Sequence, residues 1–271
     1  MATAPTRTLT AGDAARSLAV QARELAGEAE RERTLALELV SEISGAGLFR
    51  MLVPEDVGGG EAEPAELIEA VSALAEGDGS AGWCLAVAAT GGMLAAYLPL
   101  DDAIELFGKP EGVSGGVFAP KGRAVASDGG YTVSGRWPFA SGCRHCDSLM
   151  GGCLVEEDGE LRRLESGAPD IRFMLFPADE AEIIDTWHVA GLRGTGSNDI
   201  AVKELRVPEG RSASLITDSP RATQALTRSR ATSMPRPSTF LVSASSCSNA
   251  PSPQPTSSTR EPAATISAIS R

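Results

Sequence analysis

At Val113 the periodicity of this chain changes, and that change limits the folds open to it. Before it, apolar residues recur with the 3.6-residue period of a helix face. After it, to about Val207, short apolar runs alternate with turn residues, as in strands. Ala36, Leu39, Val40 and Ile43 stand at i, i+3, i+4 and i+7, and Gly45 and Gly47 end that helix. Pro64 opens a second helix with the stripe Leu67, Ile68, Val71, Leu74 and Ala75. Asp78-Gly79-Ser80 breaks it and caps an apolar third helix. A short helix, Asp101 to Phe107, closes the region at Gly108-Lys109-Pro110.

The run Trp83 to Leu100 carries no charge and is almost long enough to span a bilayer. It contains Thr90, Gly91 and Gly92, and basic flanks are missing, so it reads as a buried core helix. Beyond Val113, Arg123 to Ser127 and Tyr131 to Ser134 flank Asp128-Gly129-Gly130, a hairpin turn. Leu149 to Val155, Ile171 to Phe176, Glu182 to Val189 and Asp199 to Val207 are further strands. Evenly spaced short strands point to a small antiparallel β-barrel. The expected fold is therefore α+β and multidomain: a helical domain over 11–108, a barrel over 110–215, and a low-complexity segment over 222–271.

That last segment holds 12 Ser, 7 Thr and 6 Pro, no Gly and no Lys, and one acid, Glu261. Such a composition cannot bury enough apolar surface to offset the entropy of ordering. It reads as a disordered tail, or as a frame-shifted gene end that leaves the protein truncated. The whole chain has a net charge of −12 and no basic block, which argues against nucleic-acid and anionic-membrane partners. Five cysteines, an odd number, behind an N-terminus of no signal-peptide type suggest reduced thiols and a cytoplasmic protein.

Chemistry concentrates in Ser134-Gly135-Arg136-Trp137-Pro138-Phe139-Ala140-Ser141-Gly142-Cys143-Arg144-His145. Aromatics in a barrel are ordinarily core, and Ser-Gly is ordinarily a turn. The same residues at a strand end can pack a planar heterocycle and hydrogen-bond its edge. Gly191 to Ser197 reads as a structural turn or as an anion cradle, since backbone N–H groups in Gly-rich loops bind anions. Its spacing is not that of a dinucleotide fingerprint. Cys143 and Cys146 lack the second pair that a zinc site needs, so no metal is expected and small packed thiols are. The only histidines are His145 and His188, and no Gly-x-Ser-x-Gly elbow supports a hydrolase. His188 reads as a barrel residue beside Trp187.

In order and spacing, Pro54-Glu55-Asp56-Val57-Gly58-Gly59-Gly60, Phe118 to Ala124, Ser134 to His145 and Gly191 to Ser197 resemble the acyl-CoA dehydrogenase superfamily of flavoproteins. The resemblance covers residues 35 to 210 approximately. The nearer branch is that of flavin-dependent monooxygenases, which take reduced flavin from a separate reductase. Their pattern Gly-x-Trp-x-Phe-x-Ser-Gly matches Gly135, Trp137, Phe139, Ser141 and Gly142, and His145 and Asp147 continue it. The resemblance implies FAD or FMN as cofactor, with Phe139 packed on the isoalloxazine and Ser141 bonded to its N5/O4 edge. Trp137, Gly142, Phe118, Arg193 and Ser197 are the other implied flavin contacts, and no catalytic residue is implied.

Phe118-Ala119-Pro120-Lys121-Gly122-Arg123-Ala124 separates the branches. Thioester dehydrogenases carry Thr-Glu-Pro and then Gly-Ser-Asp at this point, whereas Pro-x-Gly-Arg-Ala is typical of the monooxygenases. The resemblance thus implies a hydroxylase acting with O2 on a small organic substrate, with an acyl-CoA dehydrogenase as the alternative. Two departures stand out. The family's histidine in the apolar helix is replaced by Ala89-Thr90-Gly91-Gly92. The family's C-terminal helical bundle, which completes the flavin site and the homo-oligomer, is not recognisable in 222–271. A non-catalytic remnant is the third expectation.

Overall fold

The computed structural model describes residues 10–221. Five α-helices precede eight strands, and the border falls between Phe107 and Ser114, where the periodicity changes. Helix α1 (Ala11–Glu32) is opened by a reciprocal cap between Thr10 and Asp13 and buries only small side chains, Ala15, Ala19, Ala22 and Ala29. Helix α2 (Leu37–Gly45) buries Leu39, Val40 and Ile43, as their spacing predicts, and Gly47 follows at φ 72°. Helix α3 (Pro64–Ala75) starts on its proline, but its buried residues are Ala70, Ala73 and Leu74, with Leu67 and Val71 partly buried beside them. Ile68 and Ala75, expected in that stripe, face outward. Alanine at 70 and 73 lets α3 lie close against the equally small face of α1, which turns the helix off its bulkier residues.

Asp78 caps helix α4 (Gly79–Gly92) by accepting from the Ser80 and Ala81 N–H groups. A tighter turn then carries the helical run to Tyr97, and α5 (Leu100–Phe107) follows. The stretch Gly79–Tyr97 is long and apolar enough to cross a membrane, but 67% of it is buried inside the molecule. It is the core helix expected, wedged against Leu35, Phe49 and Leu74 on one side. On the other side Ser114 Oγ donates to the Ala88 carbonyl at 3.1 Å and ties α4 to the first strand.

The strands are β1 (Ser114–Ser127), β2 (Gly130–Ala140), β3 (Ser148–Glu157), β4 (Glu160–Leu161), β5 (Ile171–Pro177), β6 (Glu182–Ile184), β7 (Asn198–Pro208) and β8 (Ser212–Ala213). The β1–β2 hairpin turns at Asp128-Gly129, as expected. The antiparallel barrel is not what forms. The sheet is mixed and open, in the order β6-β7-β2-β1-β3-β5-β8, with β4 beside β3. β1 and β3 run parallel, from Ser114↔Ser148 to Val125↔Glu156. Parallel neighbours need a crossover, and here β2 itself plus the turn 141–147 supplies it. Alternation and turn signals reveal strands, not partners, so the pairing was hidden. The outer strands β6 and β8 are too short to close a barrel. The expected strand 182–189 stops at Ile184, so Trp187 and His188 lie in irregular chain and not in a strand. The tail 222–271, and with it the expected disorder and the absence of a bundle, lies outside the described residues.

Beneath the sheet, the Trp137 ring lies fully buried on three glycines. A Cβ on Gly122, Gly135 or Gly151 would approach that ring to 2.3, 2.6 or 2.4 Å, so no side chain larger than hydrogen fits there. Met174, Phe176, Ile200 and Val202 complete this core.

Candidate functional site

Residues two apart in a strand face the same side, so Trp137 and Phe139 should both be buried. They are not: Trp137 is 0% exposed and Phe139 is 67% exposed. Between Trp137↔Ile200 and Ala140↔Asn198, β2 advances three residues against two on β7. The extra residue is a bulge, and Phe139 takes φ 65° within it, a left-handed backbone rare for an aromatic residue. The bulge turns the Phe139 ring outward while Trp137 stays in the core.

The ring turns onto a cavity of about 280 Å³ lined by Trp83, Phe139, Ser141, Trp187, Leu192, Thr195 and Ser197. Phe139 meets Trp187 edge to face, with centroids 6.0 Å apart and planes at 89°. One side of the cavity carries a hydroxyl ladder. Trp83 Nε1–H donates to Ser141 Oγ at 2.9 Å, and Ser141 and Ser197 are 2.7 Å apart. Ser197 and Thr195 are also 2.7 Å apart, and Thr195 Oγ1 donates to the Leu192 carbonyl at 2.9 Å. Each hydroxyl has one proton. With that of Thr195 on the carbonyl, the ladder runs one way: Ser141 donates to Ser197, and Ser197 to Thr195. Ser141 then keeps one lone pair for a ligand N–H.

Of the residues singled out in the sequence, Phe139, Ser141 and Ser197 meet at this cavity. Gly142 adjoins it, at φ 71°, and its N–H donates to the Thr195 carbonyl at 2.8 Å. Trp137 lies in the core, with Nε1–H on the Gly152 carbonyl at 2.7 Å. Phe118 packs edge-on against Phe173 at 5.1 Å, apart from the cavity lining. Arg193 is turned away toward α1, where its Nε–H donates to the Glu30 carbonyl at 2.8 Å. Trp83, Trp187, Leu192 and Thr195 complete the cavity. An aromatic near the start of an apolar helix was the available signal for Trp83. Nothing local marked Trp187, which arrives from 50 residues beyond Trp137 in the sequence.

A larger hollow of about 670 Å³ opens between the start of α1 and Gly58–Gly60, with Arg50 and Glu66 as its charged residues. Arg50 donates to the carbonyls of Val57, Gly58, Phe107 and Pro110, and Glu66 accepts from the Glu63 N–H. Both are turned to their own chain, so this hollow presents no converging polar groups. Among the described residues no group of His, Cys, Asp and Glu could hold a metal ion. Burial pushes the Cys84 and Cys153 thiols up to about 12 and Cys143 up to about 11, so these are packed, unreactive groups.

His145 sits behind the cavity, with Nε2 3.0 Å from Thr34 Oγ1 and Nδ1 buried without a partner. Burial, and then the charge of Arg144, lower its pKa from 6.5 to about 4. The unfolded chain therefore binds this proton at higher pH than the folded one. Stability from His145 is complete above about pH 6.5 and is lost as pH falls toward about 4. Chemical denaturation at pH 7.5 and pH 5 should show His145→Gln losing up to about 2 kcal/mol less than the wild type across that interval. Parallel losses in the two proteins would place the titration elsewhere.

Residues 9–103 match the family model described as acyl-CoA dehydrogenase, N-terminal domain. The chain is 34% identical over 210 residues to indole-3-acetate monooxygenase of Pseudomonas putida, covering 76% of this chain and 52% of that protein. It resembles the crystal structure of the HsaA monooxygenase of Mycobacterium tuberculosis, a flavin-dependent monooxygenase oxygenase subunit, with a TM-score of 0.69 and 34% identity over 75% of this chain and 51% of that one. It also resembles XiaF from Streptomyces, solved with FADH2 and glycerol, with a TM-score of 0.67 and 28% identity over 76% and 50% of the two chains. The chain thus spans about half the length of the curated relatives it matches.

Proposed function

This chain belongs to the acyl-CoA dehydrogenase superfamily, and on that premise we propose that its cavity binds a reduced flavin, FMN or FAD, for the hydroxylation of a small organic substrate. One observation carries the reading: the bulged Phe139 ring turned onto a cavity edged by Ser141. The residues fit the group. The walls are aromatic and aliphatic and the polar groups stand on one side, as a planar heterocycle with one hydrogen-bonding edge requires. At about 280 Å³ the cavity suits a ring system and not a whole nucleotide.

Phe139 supports the ring face, and Ser141 accepts from the ring's edge. A reduced flavin carries a hydrogen at N5 and an oxidised one does not, so the direction of the hydroxyl ladder favours the reduced form. When bound, reduced flavin supplies two electrons to dioxygen, one oxygen atom entering the substrate and the other leaving as water. Trp83, Trp187 and Leu192 add the apolar surface against which the ring would lie. The similarity to a chain named an oxygenase subunit supports a separate reductase as partner.

The test mixes the protein with anaerobically reduced FMN or FAD and then admits oxygen. Binding of the reduced flavin, and a reoxidation rate that differs from that of free flavin, are the expected results. Tight binding of oxidised flavin that an acyl-CoA reduces would replace this reading with the thioester dehydrogenase.

A further inference from the structure

We propose that Asp185–Arg193 is a strap that sets the width of the cavity, and that Arg33 is the residue positioning it. The strap supplies two of the cavity walls, Trp187 and Leu192. It is irregular chain for most of its length, so its own hydrogen-bond ladder does not fix it. It closes on itself where Trp187 Nε1–H donates to the Leu192 carbonyl at 3.1 Å. Asn198 Oδ1 accepts from the Thr186 and Trp187 N–H groups, both at 3.2 Å, which ties it to β7.

Its bonds to the helices come from the last turn of α1. Arg33 grips Asp185 with both prongs, Nη1 at 2.5 Å and Nη2 at 2.8 Å. Nη1 also donates to the Trp187 carbonyl at 3.2 Å and lies 3.4 Å from His188 Nε2. At the other end, Glu30 Oε1 accepts from the Arg193 N–H at 3.0 Å. Gly194 follows so close to α1 that a Cβ there would lie 2.9 Å from that of Ala29. Trp83, the facing wall, stands on α4 among the same helices. The distance between the Trp83 wall and the strap is therefore held by Arg33 and Glu30. Arg33 itself is not among the residues lining the cavity, which makes it a positioning residue.

Arg33 is the C-cap of α1 and has φ 56°. Asn tolerates that backbone, so Arg33→Asn removes the guanidinium with little added strain. The flavin arm rests on the function proposed above; the exchange arm does not. Hydrogen exchange read by mass spectrometry should quicken at least about 10-fold within 185–193 in Arg33→Asn and in Asp185→Asn, because an anchored segment becomes free to open. The double variant should be no worse than Arg33→Asn alone, since Asp185 acts through Arg33. Arg33→Lys should recover part of the protection, keeping the charge without the fork. Reduced FMN or FAD, followed anaerobically by tryptophan quenching, should bind about 10-fold more weakly to both single variants, a loss of about 1.4 kcal/mol. Unchanged exchange within 185–193, or additive losses in the double variant, would overturn the strap. Faster exchange with unchanged flavin affinity would overturn its control of the cavity. If the wild type binds no flavin, the function proposed above fails, and the exchange result alone decides the strap.

Discussion

Trp137→Ala should cost this protein about 4 kcal/mol of stability, which for its size lowers the melting temperature by roughly 10–15 °C. The whole indole is buried, and its N–H satisfies the Gly152 carbonyl. The three glycines beneath it cannot move in to fill the space, because each brings only a hydrogen. Trp137→Phe should restore part of the packing and leave the carbonyl unpaired, at a cost of about 1–3 kcal/mol. Molecules that remain folded should bind reduced flavin as the wild type does, because Trp137 does not line the cavity. Thermal and urea denaturation, followed by flavin titration of the folded fraction, check both statements. A melting temperature within about 5 °C of the wild type would show that the ring is loosely held.

Phe139→Ala should do the opposite. The ring is largely exposed, so its removal should shift the melting temperature by no more than about 2 °C. Flavin affinity should fall about 10- to 100-fold, the worth of one aromatic stacking face. Phe139→Gly should be more stable than Phe139→Ala by about 1 kcal/mol, since φ 65° suits only glycine without strain. Fluorescence titration with reduced FMN and FAD reads the affinity. An unchanged affinity in Phe139→Ala would remove the flavin from this cavity. The two aromatics stand two residues apart and are expected to fail in different assays, one in stability and the other in binding.

That contrast also shows what the sequence made legible. Local signals carried well: the spacing of Leu39, Val40 and Ile43, the proline opening α3, the Asp78 cap and the hairpin at Asp128-Gly129 all act over a few residues. The motif around Phe139 and Ser141 was legible through its resemblance to a family. Strand alternation alone would have buried Phe139 beside Trp137, because one inserted residue reverses the face and leaves no compositional mark. The parallel pairing of β1 with β3 was equally silent, as was the outward turn of Ile68. Trp187 and Arg33 were beyond reach for a plainer reason. Their roles are contacts between distant segments: Trp187 meets Phe139 from beyond the intervening strands β3 to β6, and Arg33 reaches the Trp187 carbonyl from the end of the first helix.

The order of β7 in the sheet has a consequence in time. It pairs with β2 on one side and β6 on the other, yet it is the last long strand to be synthesised. Ser197 and Thr195 lie just ahead of it, and each bond of the hydroxyl ladder to Trp83 or Ser141 closes a loop of more than 50 residues. Loops of that length close slowly, so the helices and the β1–β2 hairpin should form well before the cavity does. Until β7 docks, one side of β2 is an unpaired edge that carries Trp137 and Phe139. The chain is thus most exposed to misassociation just before its binding site comes into being. Growth temperature and chaperone supply should then govern the yield of binding-competent protein more than the yield of chain.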